Sequence, residues 1–203
     1  FPAAHADALA AWQWMLDNAG NLGGDPGRAA IVGEDAGGNL AVEIAVRAKA
    51  GPGPRPVHLV LVSPMASADL ARPSHAENLD SRPLSTRGLR WLQAQFVKQP
   101  SDLGDPRLEL VGRGDLGGLP PTTIVLAAID PLRSEGEALA DTLRRSGVWV
   151  DATVYDGVTA QFFGLARVQQ GDVCPGAGDP EPQGEFRGGG MSSVNGAWGW
   201  RSG

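Results

Sequence analysis

Four short apolar runs alternate with helical patterns along the chain, and this alternation limits the fold more than any other feature. The runs are bounded by glycine or proline and predict buried strands at residues 28–33, 57–64, 121–128 and 148–157. Around and between them, apolar residues recur at helical spacing in residues 4–18, 40–50, 86–98 and 134–147. Strands that alternate with helices predict an α/β fold with a mainly parallel sheet and helices on both faces.

The turn between the first strand and its helix is rich in glycine, since residues 33–38 read GEDAGG. Catalytic turns of the form G-x-S-x-G hold a serine on a strained strand-to-helix turn, where bulky neighbours would collide with the strand and the helix. Gly33, Gly37 and Gly38 meet this requirement, but Asp35 stands at the serine position. Taken alone, such a turn is also typical of a phosphate-binding loop or of a merely tight connection.

Several further motifs accompany this turn in a fixed order. GGDPGR precedes it at residues 23–28, DPLRSEG occupies residues 130–136, and YDGVTAQF occupies residues 155–162. In this order and spacing, the chain resembles the bacterial hormone-sensitive-lipase-like family of esterases, whose elbow usually reads G-D-S-A-G-G-N. The resemblance covers about residues 1–164 and implies a partial α/β-hydrolase domain, with residues 66–100 as a cap-like excursion between two strands.

The resemblance also assigns roles to single positions. Asp130 corresponds to the acid of the catalytic triad, which orients the base and stabilises its protonated form. Asp35 stands at the nucleophile position, Ala160 stands at the histidine position, and the backbone N–H of Ala36 would serve the oxyanion hole. Two of the three triad positions are therefore substituted.

The resemblance further implies that only the carboxy-terminal part of the hydrolase fold is present. The family carries an H-G-G-G loop before the elbow that supplies oxyanion donors, and the chain starts after the place of that loop. We therefore expect the early strands of the sheet to be absent. The strand beside them would then expose an unpaired edge, through which the chain could self-associate.

The family activity is the hydrolysis of carboxylic esters, without a cofactor. Here we expect that activity to be absent or severely impaired, because a covalent adduct on Asp35 still requires a base for its hydrolysis and alanine cannot accept a proton. Two alternatives remain: a non-catalytic homologue that binds a small acyl-ester-like ligand or a partner, and a truncated gene product without a selected function.

Other titratable residues favour ordinary interpretations. His75 falls in a polar, proline-broken segment and is expected to be an exposed loop residue, while Glu34, Glu135 and Glu137 are expected to be solvated or to lie at helix starts. If Asp35 and Asp130 face each other, they can share a proton. Two carboxylates alone make a poor metal site, so no metal is expected.

Composition excludes several classes of protein. A net charge of -6 leaves no basic surface for nucleic acid, and no apolar run is long enough to span a membrane. The single cysteine permits no internal disulfide, which favours a cytoplasmic location. Residues 165–203 are rich in glycine and proline without periodicity, so this tail is expected to have little fixed structure.

Overall fold

A computed structural model describes residues 1–164 of the chain. The predicted glycine- and proline-rich tail, residues 165–203, lies outside the described residues, as does Cys174. Within residues 1–164, no helix combines the length and the apolar content that crossing a bilayer requires.

Five α-helices and four strands make up the described part of the chain. In chain order they are α1 (Ala3–Asn18), β1 (Ile31–Glu34), α2 (Ala36–Ala50), β2 (Leu59–Val62), α3 (Pro73–Glu77), α4 (Thr86–Phe96), β3 (Thr122–Ile129), α5 (Arg133–Arg145) and β4 (Val150–Thr159). The four strands form one sheet in the order β1-β2-β3-β4, and every neighbouring pair is parallel. The predicted α/β fold with a parallel sheet is therefore confirmed.

The helix ends follow simple electrostatic and hydrogen-bonding rules. At the start of α4, the Ser85 hydroxyl accepts a hydrogen bond from the Gly88 N–H at 3.1 Å, which satisfies one unpaired donor of the first turn. Helix α5 carries Glu135 in its first turn and Arg144 and Arg145 in its last turn, as the helix dipole favours.

The core lies on one face of the sheet. Alternate strand residues pack there against α2 and α5, namely Leu59, Leu61, Ile124 and Leu126 against Val42, Val46, Leu139 and Leu143. The sequence predicted helices on both faces, but the two helices that make most of the helix contacts to the sheet share this face. Strands that follow one another in sheet order through right-handed crossovers place all their connections on the same side.

The opposite face of the sheet is less covered. Val32 on β1 is 64% exposed, and Val60 on β2 and Val125 on β3 are half-buried. The nearly continuous apolar runs of these strands suggested burial on both faces. Among residues 1–164, that burial is complete on the helix side only.

The segment between β2 and β3 is more ordered than its sequence suggested. Its first part was expected to be a loop, but it contains α3, whose residues Ser74 and His75 are buried. The Ser74 hydroxyl donates a hydrogen bond to the Pro131 carbonyl at 2.6 Å and so attaches α3 to the start of α5. Whether residues 66–100 act as a cap stays a prediction.

Candidate active site

Asp35 occupies the sharp turn between β1 and α2. Its backbone has a φ of 50° and a ψ of -118°, which is costly for a residue with a side chain. Three main-chain hydrogen bonds hold it in this conformation. The Asp35 N–H donates to the Val62 carbonyl at 3.0 Å, and the Asp35 carbonyl accepts from the N–H groups of Gly38 at 3.1 Å and Met65 at 3.0 Å.

Two of the three elbow glycines are required by close approach. A Cβ at Gly33 would collide with the Gly37 carbonyl, and a Cβ at Gly38 would lie 2.7 Å from the Pro64 Cβ atom. A Cβ at Gly37, by contrast, would meet nothing within 4 Å. The sequence singled out all three positions, and the structure explains the need for glycine at Gly33 and Gly38.

Asp130 lies directly after β3 and is completely buried. Its Oδ1 atom accepts a hydrogen bond from the Leu132 N–H at 2.8 Å, whereas its Oδ2 atom has no partner among the described residues. Burial raises the pKa of Asp130, although the Ser63 hydroxyl and the Leu132 N–H favour the ionised form. Ser63 has a φ of 42° directly after β2, and its place beside Asp130 was not predicted.

The two aspartates lie close enough to influence each other. Burial raises the pKa of Asp35 to about 6, with further contributions from the negative charges of Asp130 and Glu34. The Gln161 side chain opposes this rise. Gln161 follows the predicted base position and was not predicted to take part in the site. At neutral pH the Asp35 carboxyl is therefore mostly ionised.

Ala160 supplies no polar side chain to this arrangement. Its N–H donates to the Ile129 carbonyl at 3.1 Å, which places it beside the strand end that bears Asp130, and its methyl group is buried. The resemblance put the base at this position. The structure thus brings all three predicted triad positions to one edge of the sheet, but the side chains there are two carboxylates and a methyl group.

The three histidines of the chain have other neighbours. His5 Nε2 lies 3.0 Å from Asn39 Oδ1, and His58 Nε2 lies 2.9 Å from Thr123 Oγ1. His75 was expected to be exposed, which is wrong, because it is 1% exposed with its Nε2 atom 3.5 Å from a carboxylate oxygen of Glu135. None of the three forms a hydrogen bond with Asp35 in the described structure.

Glu135 was predicted to be solvated or to lie at a helix start, and only the second part is right. The residue is in the first turn of α5, but it is 1% exposed. One carboxylate oxygen accepts hydrogen bonds from the N–H groups of Ala66 at 2.6 Å and Ser67 at 2.7 Å. Burial raises its pKa, and these bonds together with His75 oppose the rise. Glu135 therefore holds the loop that follows β2.

That loop forms one wall of a mostly apolar pocket of about 230 Å³. The pocket extends from Ala36, the residue after Asp35, towards α1 and α4, and its apolar lining includes Ala4, Leu40, Met65, Leu92, Phe96 and Leu108. His5, Asn39, Ser67 and Gln93 add a few polar atoms. This combination of an apolar cavity and a few polar groups is typical of small-molecule sites.

The site offers little to a metal ion. Among residues 1–164, no three or more His, Cys, Asp or Glu side chains are grouped so that they could hold one.

Comparisons with known proteins agree with this geometry. A family model that describes the alpha/beta hydrolase fold matches residues 1–164. The chain is 39% identical over 155 residues to the carboxylesterase NlhH of Mycobacterium tuberculosis. This match covers 74% of the chain and 48% of NlhH. The chain is also 33% identical over 169 residues to the ethyl acetate hydrolase of Pseudomonas putida. This second match covers 83% of the chain and 53% of that enzyme.

Solved structures give the same result. The hyperthermophilic esterase from Pyrobaculum calidifontis matches with a TM-score of 0.75 and 34% identity over 80% of this chain and 54% of that one. The chain spans about half the length of the curated relatives it matches, since it covers 48% of the carboxylesterase NlhH and 53% of the ethyl acetate hydrolase.

Proposed function

Because the chain belongs to the esterase family of the alpha/beta hydrolase fold, we propose that it binds small acyl-ester-like ligands in the pocket beside Asp35 and hydrolyses them very slowly or not at all. One observation carries this proposal: at the edge where the triad positions meet, Ala160 presents a buried methyl group and no side chain that can exchange a proton.

Ester hydrolysis by the family mechanism needs a base twice. The base first removes the proton of the nucleophile and gives it to the departing alcohol, and it then activates the water that cleaves the acyl-enzyme. The Asp35 carboxylate needs no deprotonation at neutral pH, but an alkoxide that it displaced would still require a proton. The adduct on Asp35 would then require an activated water. Ala160 supplies neither the proton donor that the first step needs nor the proton acceptor that the second step needs.

The pocket supports retained binding. Its lining is apolar, it begins beside the elbow, and the strained turn and the tight contacts at Gly33 and Gly38 are intact. A scaffold of this kind can hold an acyl chain without reacting with it. These features favour a binding homologue over a chain that has lost both binding and catalysis.

Hydrolysis is tested with p-nitrophenyl acetate and p-nitrophenyl butyrate. We expect no release of p-nitrophenol above a blank that contains an equal mass of inert protein, since removal of nucleophile or base costs on the order of 10⁶ in rate in a comparable triad. Saturable turnover that disappears in Asp35→Asn would overturn the proposal and identify Asp35 as a working nucleophile.

Binding is tested with ethyl butyrate by ligand-observed NMR. Ala4→Trp places an indole in the pocket and should abolish the signal of the bound ester. Ala6→Trp adds the same group on an exposed part of α1 that does not line the pocket, and it should leave the signal unchanged. An equal response of the two variants would contradict binding at this pocket.

A further inference from the structure

The polar end of the site holds two carboxyl groups, those of Asp35 and Asp130. Asp130 is completely buried, and its Oδ2 atom has no hydrogen-bond partner in residues 1–164. The Oδ1 atom of Asp35 is also buried and without a partner in the same part of the chain. The two carboxylates are close enough for the charge of Asp130 to act on Asp35. A buried carboxylate oxygen without a donor is costly, so Asp35 favours a ligand that brings a positively charged donor.

The basic groups nearest to this pair are engaged with other carboxylates. Arg133 lies within range of Asp130, but its guanidinium donates to the Ala128 carbonyl at 2.7 Å and forms an ion pair with Glu77. His75 lies next to Glu135, with 3.5 Å between Nε2 and the carboxylate. Asp35 therefore has no cation of its own among the described side chains.

The other end of the site is apolar. The pocket begins at Ala36, immediately after Asp35, and continues between Leu40, Leu92 and Phe96. His5 also lines it, is 3% exposed, and has a buried Nδ1 atom without a partner in the described structure. When the Nε2–H donates to the side-chain oxygen Oδ1 of Asn39, the Nδ1 atom of the neutral ring is left as an acceptor.

We propose that this site binds primary alkylamines in their protonated form, with the ammonium group beside the partly exposed Asp35 and the alkyl chain in the apolar pocket that begins at Ala36. An ammonium group has three donors and one positive charge, which suits a carboxylate. A neutral ester has no donor to offer to the Asp35 carboxylate. The proposal rests on the proposed function, because it places the ligand in the same pocket.

The test is isothermal titration calorimetry on the full chain at pH 7.5 with hexylamine and hexan-1-ol. Both ligands have the same alkyl chain, so their affinities differ mainly through the head group. We expect hexylamine to bind at least tenfold more tightly, as hydrogen bonds to charged groups imply. Butylamine should bind more weakly than hexylamine by about fourfold for each methylene removed.

Two variants locate the charge that is responsible. Asp35→Asn should lower the affinity for hexylamine at least fivefold and change that for hexan-1-ol by less than twofold. Glu137→Gln removes an equal charge from an exposed residue that does not line the pocket and should leave both affinities within twofold of the parent. Comparable losses in the two variants would show that net charge alone attracts the amine, which overturns the proposal.

The outcomes separate this inference from the proposed function. If hexan-1-ol binds as tightly as hexylamine, the preference for amines is refuted and the ligand pocket stands. If neither compound nor ethyl butyrate binds, the pocket itself is refuted and both proposals are lost. Thermal unfolding of each variant under the same buffer conditions shows whether it is folded, so a loss of binding can be assigned to the site.

Discussion

Substitution of Asp35 by asparagine should stabilise the folded chain at neutral pH. The pKa of this carboxyl is raised from its ordinary value of 3.8 to about 6 in the folded state. Between these two values the folded state binds more protons than the unfolded state, so stability falls as the pH rises through this interval. Asparagine carries no charge at any of these pH values. The advantage of Asp35→Asn should therefore be absent near pH 4 and complete above pH 7.

The size of the effect follows from the shift. A rise of about two pKa units corresponds to about 3 kcal/mol at roughly 1.4 kcal/mol per unit. Asp35 is only partly buried, and solvent screens its charge, so we reduce the expected gain to about 1–2 kcal/mol. For a chain of this size, that gain raises Tm by roughly 2–8 °C. Asparagine tolerates the positive φ of this residue about as well as aspartate, so the backbone strain is unchanged.

Urea denaturation at pH 4, 5, 6 and 7.5 measures the effect in both proteins. The buried Asp130 also contributes to the pH dependence of the parent. Because the charges of Asp35 and Asp130 act on each other, the measured difference between the two proteins includes the loss of this repulsion. Glu137→Gln serves as the control, because it removes one charge from an exposed residue of α5. A difference between Asp35→Asn and the parent that stays constant from pH 4 to pH 7.5 would refute the reasoning.

Three further predictions concern the scaffold. In thermal melts, Gly33→Ala and Gly38→Ala should each destabilise the fold by about 1–3 kcal/mol through overpacking, whereas Gly37→Ala should be neutral. Equal effects of all three substitutions would contradict the contacts at the elbow. In urea denaturation, Glu135→Ala should lower the free energy of unfolding by about 3–5 kcal/mol and Glu135→Gln by about 1 kcal/mol. A decrease below about 1 kcal/mol for the alanine variant would argue that Glu135 does not hold the loop. We propose that the open edge of β1 permits self-association. Size-exclusion chromatography should then show an oligomer, which Val32→Lys reduces to a monomer. A monomeric parent would exclude this proposal.

Much of the fold was predictable because its elements are long and periodic. The apolar run at residues 121–128 and the amphipathic pattern after it correspond to β3 and α5. The start of α2 was less clear, since the glycines after Asp35 conceal four helical residues from a pattern based on apolar spacing. Helix α3 has only five residues, too few to show a period, and it is stabilised by contacts with distant residues.

The site was predictable only as far as local motifs reach. Asp35, Asp130 and Ala160 were found because each lies in a recognisable stretch of sequence. Glu135 and His75 were misjudged because burial depends on partners about sixty residues away in the chain, such as the Ser67 N–H for Glu135. Local sequence shows that a residue is charged, but it does not show whether water reaches it.

The three hydrogen bonds that hold the elbow involve only main-chain atoms of residue 35. The turn is therefore independent of the reactive group that it displays, and the side chain there can change while the strand and the helix stay in place. For protein engineering, residue 35 is an attachment point beside an apolar chamber, where a cysteine could carry a thiol-linked probe or catalyst. In evolution, the same independence allows a lineage to change its chemistry at one codon and keep its architecture.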